Sequence, residues 1–151
     1  MKKKILIIGK NSFLGGHLFA YLKKHFNVSK ISYEKFNTLS LNLIKKHTHI
    51  INCAIHPKYQ TKVYEAKYDI DVKISKKIKD TNLKYIFFST RKVYREKFNI
   101  KETSTIETKC NYSKNKIKSE KKLFLLLKKN LIVLRISNIL GLNDNLHTKR
   151  K

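Results

Sequence analysis

Ile5-Leu6-Ile7-Ile8-Gly9-Lys10-Asn11-Ser12-Phe13-Leu14-Gly15-Gly16-His17-Leu18 decides how this chain folds. Four apolar residues in a row end at a glycine, a polar triplet follows, and Phe13-Leu14-Gly15-Gly16 opens an amphipathic run. The pattern predicts a buried strand, a tight turn and a helix start. Three of the chain's four glycines lie in this stretch. Glycines in such a turn let the backbone approach a ligand closely. The helix N-terminus beyond them offers free N–H groups and a partial positive charge. Together they form a seat for a pyrophosphate.

Outward from the turn, strand and helix patterns alternate. Lys4–Ile8 is the first strand and Phe13–Lys24 the first helix, with Leu14, Leu18, Tyr21 and Leu22 expected on one face. Val28–Ile31 is a short second strand, Leu39–Lys45 a brief helix and His49–Ala54 another buried strand. Pro57, the only proline, marks the loop after it. Tyr59–Lys79 reads as one long helix, because Val63, Ala66, Ile70, Ile74 and Ile78 recur at helical steps. Lys84–Ser89 is a strand, and the stretch to Lys109 is a loop. Tyr112–Lys129 is a second long helix, with Ile117, Leu123, Leu126 and Leu127 inward. Leu131–Ile136 is the last strand, and Asn138–Gly141 leads out of it. Apolar strands alternating with helices predict an α/β fold, a Rossmann-type doubly wound parallel sheet in a single domain. That domain is expected over residues 1–142, with a polar tail at 143–151.

Composition narrows the setting. A chain of 151 residues with 41% hydrophobic content can bury a real core. No apolar run approaches the roughly 20 residues needed to span a bilayer. The basic start Met1–Lys4 precedes too short an apolar run for a signal peptide. Cys53 falls in an apolar strand and reads as a buried thiol; neither it nor Cys110 has a metal-ligand spacing partner. No metal is expected, and a reducing cytoplasm fits. The net charge of +25 invites a nucleic-acid reading, but 31 lysines stand against 4 arginines and are spread along the chain. Lys, Ile and Asn share A/T-rich codons, so coding bias alone is sufficient to produce such a charge. The milder consequence is a field that favours anionic ligands such as nucleotides.

Two constellations carry chemistry. Gly9, Ser12 and Gly15 hold a Gly-x-x-Ser-x-x-Gly spacing between strand and helix, where a dinucleotide's phosphates sit. The ribose partner expected near the end of the second strand is not evident in Lys30-Ile31-Ser32-Tyr33-Glu34-Lys35. Glu34 is poorly placed by position. Ser32 with Lys30 or Lys35 suits a 2′-phosphate, and the same residues suit a solvated surface equally well. NAD and NADP both remain open. The second constellation is Tyr112 and Lys116 with Thr90. Tyr-x-x-x-Lys at a helix start puts both side chains on one face, where an ammonium is expected to lower the phenol's pKa from about 10. Such a tyrosine can exchange a proton with a sugar or alcohol oxygen during hydride transfer to or from nicotinamide. Ser89-Thr90, at a strand's carboxyl end, would orient that oxygen.

In these segments the chain resembles the cofactor-binding part of an extended short-chain dehydrogenase/reductase, the NAD-dependent epimerase/dehydratase family that acts on nucleotide sugars. Ile7 to Leu18 resembles the family's Gly-rich turn, and Ile50-Ile51-Asn52-Cys53-Ala54 its fourth strand. Phe87 to Tyr94 resembles the Ser/Thr-x-x-Val-Tyr segment, and Tyr112 to Lys116 with Glu120 the catalytic helix. Leu134 to Gly141 resembles the strand and loop toward the substrate region. The resemblance implies catalytic roles for Thr90, Tyr112 and Lys116. It implies NAD or NADP held by Gly9, Ser12, Phe13, Leu14, Gly15, Asn52, Ala54 and Lys116. A nucleotide-sugar substrate, epimerase or reductase chemistry and a homodimer through the two long helices follow from it too. Three departures stand out. Ser12 replaces the middle glycine, Arg91-Lys92 stand where the dehydratase branch has Asp-Glu, and the chain stops soon after Gly141. The last implies a truncated member, a fragment, or a cofactor domain that needs a partner chain. The alternative reading is a non-catalytic dinucleotide-binding remnant or partner subunit.

Overall fold

The computed structural model describes residues 3–137 and Ile139. Five strands form one parallel sheet: β1 (Lys4–Ile8), β2 (Asn27–Ile31), β3 (His49–Asn52), β4 (Lys84–Thr90) and β5 (Leu131–Ile136). Their order is β2-β1-β3-β4-β5. The helices are α1 (Phe13–Leu22), α2 (Tyr33–Thr38), α3 (Leu41–Ile44), α4 (Pro57–Thr61), α5 (Ile70–Ile78) and α6 (Asn111–Leu127). The expected exit from β5 and the polar tail at 143–151 lie outside the described residues, Ile139 excepted.

Strand residues alternate between the two faces of the sheet. Leu6, Ile8, Ile50, Tyr85 and Phe87 pack with Val72, Ile74 and Ile78 of α5 and Leu123 and Leu127 of α6. Ile5, Ile7 and Ile51 face the other way, under Leu18, Phe19 and Leu22 of α1. Burial on both faces is why the strands read as continuous apolar runs. Chain order reverses at β1, which pairs with β2 on one side and β3 on the other. Ile8 aligns with Ile31 and with Asn52, so three strands end level and their exit loops meet. Such a switch point is where open α/β sheets form ligand crevices.

Several expectations need correction. The long helix over Tyr59–Lys79 is instead α4, a linking segment with a 3-10 turn at Ala66–Tyr68, and α5. Asp69 starts α5: its carboxylate accepts from the Val72 N–H at 3.0 Å and from the Tyr64 hydroxyl at 2.9 Å. The periodicity of Val63 and Ala66 was fortuitous, and Val63 is 69% exposed. The brief helix expected over Leu39–Lys45 is α3, and α2 before it was not expected. Ser32 and Ser40 cap the two, accepting from the Lys35 and Leu43 N–H groups. Tyr21 is exposed, and Phe19 takes its place on the inner face of α1. Cys53 is only partly buried, and it follows β3 rather than lying in it.

Along α6 the inner stripe runs Ser113, Lys116, Ser119, Leu123 and Leu127, polar at its start and apolar at its end. Leu123 and Leu127 are inward as expected, Leu126 is partly buried, and Ile117 faces a groove beside β5. Arg135 clamps β5 to this helix, donating to both carboxylate oxygens of Glu120 and to the Tyr94 hydroxyl. No helix of the described residues is long and apolar enough to cross a membrane.

Candidate functional site

The turn after β1 is built by backbone contacts that only glycine permits. Gly9 has a φ of +102°, and a Cβ there would lie 2.7 Å from the Ala54 nitrogen. The N–H groups of Gly9 and Lys10 both donate to the Ile31 carbonyl, at 2.8 and 3.1 Å, tying the exit of β1 to that of β2. Ser12 caps α1: its hydroxyl donates to the Gly9 carbonyl at 2.8 Å and accepts from the Gly15 N–H at 3.0 Å. This explains the serine at the expected glycine position, since it supplies the turn's own hydrogen bonds. It also explains Gly15, where a Cβ would meet the Gly9 oxygen at 2.5 Å and the Ser12 hydroxyl at 2.7 Å. Phe13 and Leu14 open the helix, and N–H groups at such positions have no intrahelical acceptor.

Gly16 differs, because nothing lies within 4 Å of a Cβ built there. Gly16→Ala is therefore expected to stabilise the fold by about 0.5–1 kcal/mol, through helix propensity and a less flexible unfolded chain. Thermal unfolding checks this as a rise of roughly 1–4 °C.

The wall facing the turn is the end of β3. Asn52 uses its whole amide there. Its Nδ2 donates to the Ala54 carbonyl at 3.0 Å and to Asp71 at 2.8 Å, and its Oδ1 accepts from the Ala54 N–H at 3.0 Å. Asn52 thus shapes the Cys53–Ala54 segment that Gly9 abuts. Burial, and then the charge of Asp71, pushes the Cys53 thiol up to about 12.

A cleft of about 780 Å³ opens over these pieces. Gly9, Ser12, Cys53 and Ala54 line it, together with Ser32 and Glu34 from the β2 exit and the lysines Lys10, Lys67 and Lys73. Glu34, poorly placed by sequence position, lines the cleft from the start of α2 as a solvent-exposed side chain. Lys30 and Lys35 do not line it, and Lys30 lies over the Phe19 ring at 4.8 Å.

Thr90, Tyr112 and Lys116 do not line that cleft. Tyr112 and Lys116 sit at the start of α6. Lys116 is only 5% exposed, with its Nζ 4.4 Å from the Phe87 ring, 5.6 Å from Tyr59 and 5.7 Å from Tyr112. Thr90 is buried at the end of β4, its hydroxyl accepting from the Lys92 N–H at 3.3 Å. Beside it Ser89 is buried, with no hydrogen-bond partner for its hydroxyl among the described residues. The expected lowering of the Tyr112 pKa is not found. Burial, then the charges of Asp71 and Cys110, raises it above the ordinary tyrosine value. Lys116 itself is lowered by burial, against the pull of Asp71, Asp69 and Glu120. Lys116 lies among aromatic rings, where burial disfavours its charged form, and the lowering expected at the phenol does not arise.

Sequence reasoning missed the carboxylates behind this pair. Asp69 accepts from the Ser119 hydroxyl at 2.6 Å, and Ser119 is 2.6 Å from the Tyr59 hydroxyl. Asp71 accepts from the Tyr85 hydroxyl at 2.7 Å. The one available signal was Asp69-Ile70-Asp71, two acids inside an otherwise helical apolar pattern. Among the described residues no group of three His, Cys, Asp or Glu side chains could hold a metal ion.

A five-stranded parallel sheet flanked by helices, with a glycine turn at its switch point, defines a Rossmann-type α/β domain. No family model matches the chain, and no curated protein matches it either. Solved structures do. UDP-N-acetylglucosamine 4-epimerase from Bacillus cereus is 17% identical with a TM-score of 0.74, covering 95% of this chain and 58% of its own. UDP-glucuronic acid 4-epimerase from Bacillus cereus, in complex with NAD, is 19% identical with a TM-score of 0.70, covering 91% and 58%. dTDP-4-dehydrorhamnose reductase from Bacillus anthracis, in complex with NADP, is 18% identical with a TM-score of 0.69, covering 91% and 54%. The likeness establishes the fold, and the chain spans a little over half the length of these structures.

Proposed function

We propose that this chain is the cofactor-binding part of an NAD(P)-dependent oxidoreductase of the epimerase/dehydratase kind, acting on a nucleotide sugar as an epimerase or a keto-sugar reductase. The observation that carries the reading is the Tyr112–Lys116 pair, its lysine buried and its tyrosine half-buried, on the helix beyond β4, in a sheet whose switch point holds the Gly9 turn. The residues present fit a dinucleotide: Gly9 and Gly15 let the turn close on Ala54 and Ser12, Gly16 leaves open space, and three lysines of the cleft supply positive charge. Similarity to nucleotide-sugar epimerases and reductases with bound NAD or NADP supports the same cofactors here.

When bound, the cofactor accepts or gives a hydride. Gly9, Ser12, Phe13, Leu14 and Gly15 would hold its pyrophosphate, while Asn52 keeps Ala54 in place along it. Thr90 would orient the reacting sugar oxygen. Tyr112 would donate or accept the proton at that oxygen, and Lys116 would hold the nicotinamide ribose. Free Cys53 and Cys110 suit a reducing cytoplasm.

A second reading makes the chain a dinucleotide-binding subunit that works only with a partner polypeptide. A groove beside β5 and α6 favours it. Phe124 and Leu125 there are 66% and 74% exposed, next to Leu134 on the edge strand. Fluorescence titration with NADH and NADPH tests both readings. Saturable binding of one or both is expected. Binding without turnover of any UDP- or dTDP-sugar by the chain alone would favour the partner-dependent subunit, and no binding of either cofactor would sink both.

A further inference from the structure

Arg91-Lys92, a departure that the proposed function leaves unused, open a pocket beside the redox pair. The segment that carries them is pinned in place. Thr90 caps a 3-10 turn over Arg91–Val93, its hydroxyl accepting from the Lys92 N–H at 3.3 Å. Val93 is fully buried, and the Tyr94 hydroxyl donates to the Glu102 carbonyl at 3.1 Å. The chain then returns: the Glu107 N–H donates to the Val93 carbonyl at 2.9 Å, and Tyr94 bridges to Ile106. Where residues 91–100 face the start of α6 there is a pocket of about 210 Å³, with walls that include Arg91, Lys92, Arg95, Glu96, Lys109 and Cys110.

Four of those six side chains are cations and one is a carboxylate. The two ion pairs among the described residues, Lys67–Glu65 and Arg135–Glu120, include none of the four cations. Lysine is so common in this chain that its presence at a surface says little. Arginine is rare, and two of the chain's four line this one pocket. A guanidinium presents a planar fork of donors that matches the paired oxygens of a carboxylate or a phosphate. Like charges around one hollow repel one another, and an anion among them relieves this. Cys110 caps the 17-residue α6, so the positive end of that helix meets the same wall. The Cys110 thiol is held below its ordinary value by the Ser113 hydroxyl first, at 3.4 Å, and in smaller part by the charge of Lys92. The pocket is smaller than the roughly 300–1,000 Å³ of a site for a whole small molecule, so it suits a single anionic group.

We propose that this pocket is an anion subsite beside the redox pair, taking one acidic group of the substrate, a phosphate or a carboxylate, on the forks of Arg91 and Arg95 with Lys92 and Lys109 around it. Its wall starts at the residue after Thr90 and ends two residues before Tyr112, so the anion is held next to both segments that carry the proposed chemistry. That the anion is part of the substrate rests on the function proposed above; the subsite itself stands without it.

Cys110 serves as the reporter, because it is exposed and on the pocket wall. Cys53 is partly buried with its thiol pushed up to about 12, and reacts far more slowly. Alkylation of Cys110 by iodoacetamide is followed by peptide mass spectrometry against rising UDP-glucuronic acid, and saturable protection is expected. In Arg91→Gln/Arg95→Gln, where both side chains are exposed and carry no packing, half-protection should need about ten- to a hundredfold more ligand. Protection by UDP-glucose assigns the phosphate as the group held, and protection by glucuronic acid assigns the carboxylate; either supports the subsite. No protection by UDP-glucuronic acid, an unchanged half-protection in the double variant, or equal protection by sodium chloride at the same ionic strength would overturn the proposal. NADH and NADPH titrations on the same protein separate the two ideas. A protein that binds neither loses the proposed function, while protection of Cys110 alone decides the subsite.

Discussion

Under the function proposed above, Tyr112→Phe is expected to lower nucleotide-sugar turnover by about 10²- to 10⁴-fold, the usual contribution of a positioned proton donor or acceptor. NADH and NADPH affinity should stay nearly unchanged, because the ring and its packing over Lys116 remain. The pH dependence follows from the direction of the shift. Burial raises the Tyr112 pKa, so the phenol keeps its proton through neutral pH. A raised pKa means that the protonated form is present below it and is lost as pH climbs through it. Reduction of a keto sugar, which needs a proton donated to the oxygen, should hold through neutral pH and fall on the alkaline side. Oxidation of an alcohol, which needs the phenolate, should rise there instead. In Tyr112→Phe that alkaline limb should vanish from the residual rate in both directions. Steady-state rates from pH 6 to 10 with UDP- and dTDP-sugars check this. Turnover that survives the substitution at its wild-type rate would remove Tyr112 from the chemistry.

Gly9→Ala is expected to have the largest effect on stability. A Cβ at Gly9 meets the Ala54 nitrogen at 2.7 Å and the Cys53 carbonyl carbon at 2.9 Å; both are backbone atoms of one peptide unit, whose N–H donates to Asn52. Neither can step aside cheaply. The φ of +102° adds strain for any residue with a side chain. Strain of about 1–3 kcal/mol and overpacking of about 1–3 kcal/mol together give a loss of roughly 2–6 kcal/mol. Thermal unfolding should then shift down by about 5–20 °C. Gly16→Ala, seven residues on and in open space within α1, is the matched control and should move the other way. An unfolding temperature for Gly9→Ala within a degree of wild type would mean that the turn does not abut β3 as described.

The sheet was legible because its central strands are buried on both faces. Ile5 to Ile8 and His49 to Asn52 lie where their apolar runs stand, and even the half-exposed edge strand Leu131 to Ile136 keeps five apolar residues of six. The helices were read less well for an identifiable reason. Periodicity in Val63, Ala66 and Ile70 looks the same whether the chain runs straight or breaks, and a side chain from another helix decided between them. Ser119 of α6, 50 positions away, donates to Asp69, and Asp69 sets where α5 begins. The start of α6 misled in a similar way. Its inner stripe there is polar: Ser113 bonds back to the Cys110 carbonyl, Lys116 lies over aromatic rings and Ser119 donates to Asp69, so none of them reads as an apolar core position.

By itself, then, the sequence determined the strand order of events: an apolar strand, a glycine turn and a helix, repeated into a parallel Rossmann-type sheet, with Tyr112 and Lys116 one helical turn apart. These are local properties, set by residue type and spacing of four or fewer positions. Only the tertiary structure decided the electrostatic state of that pair. Asp71 and Lys116 lie 45 positions apart in the chain, and burial of both follows from α5 and α6 packing on the same face of the sheet. Charge interactions depend on distance in space and on burial, and neither can be read from distance along the chain.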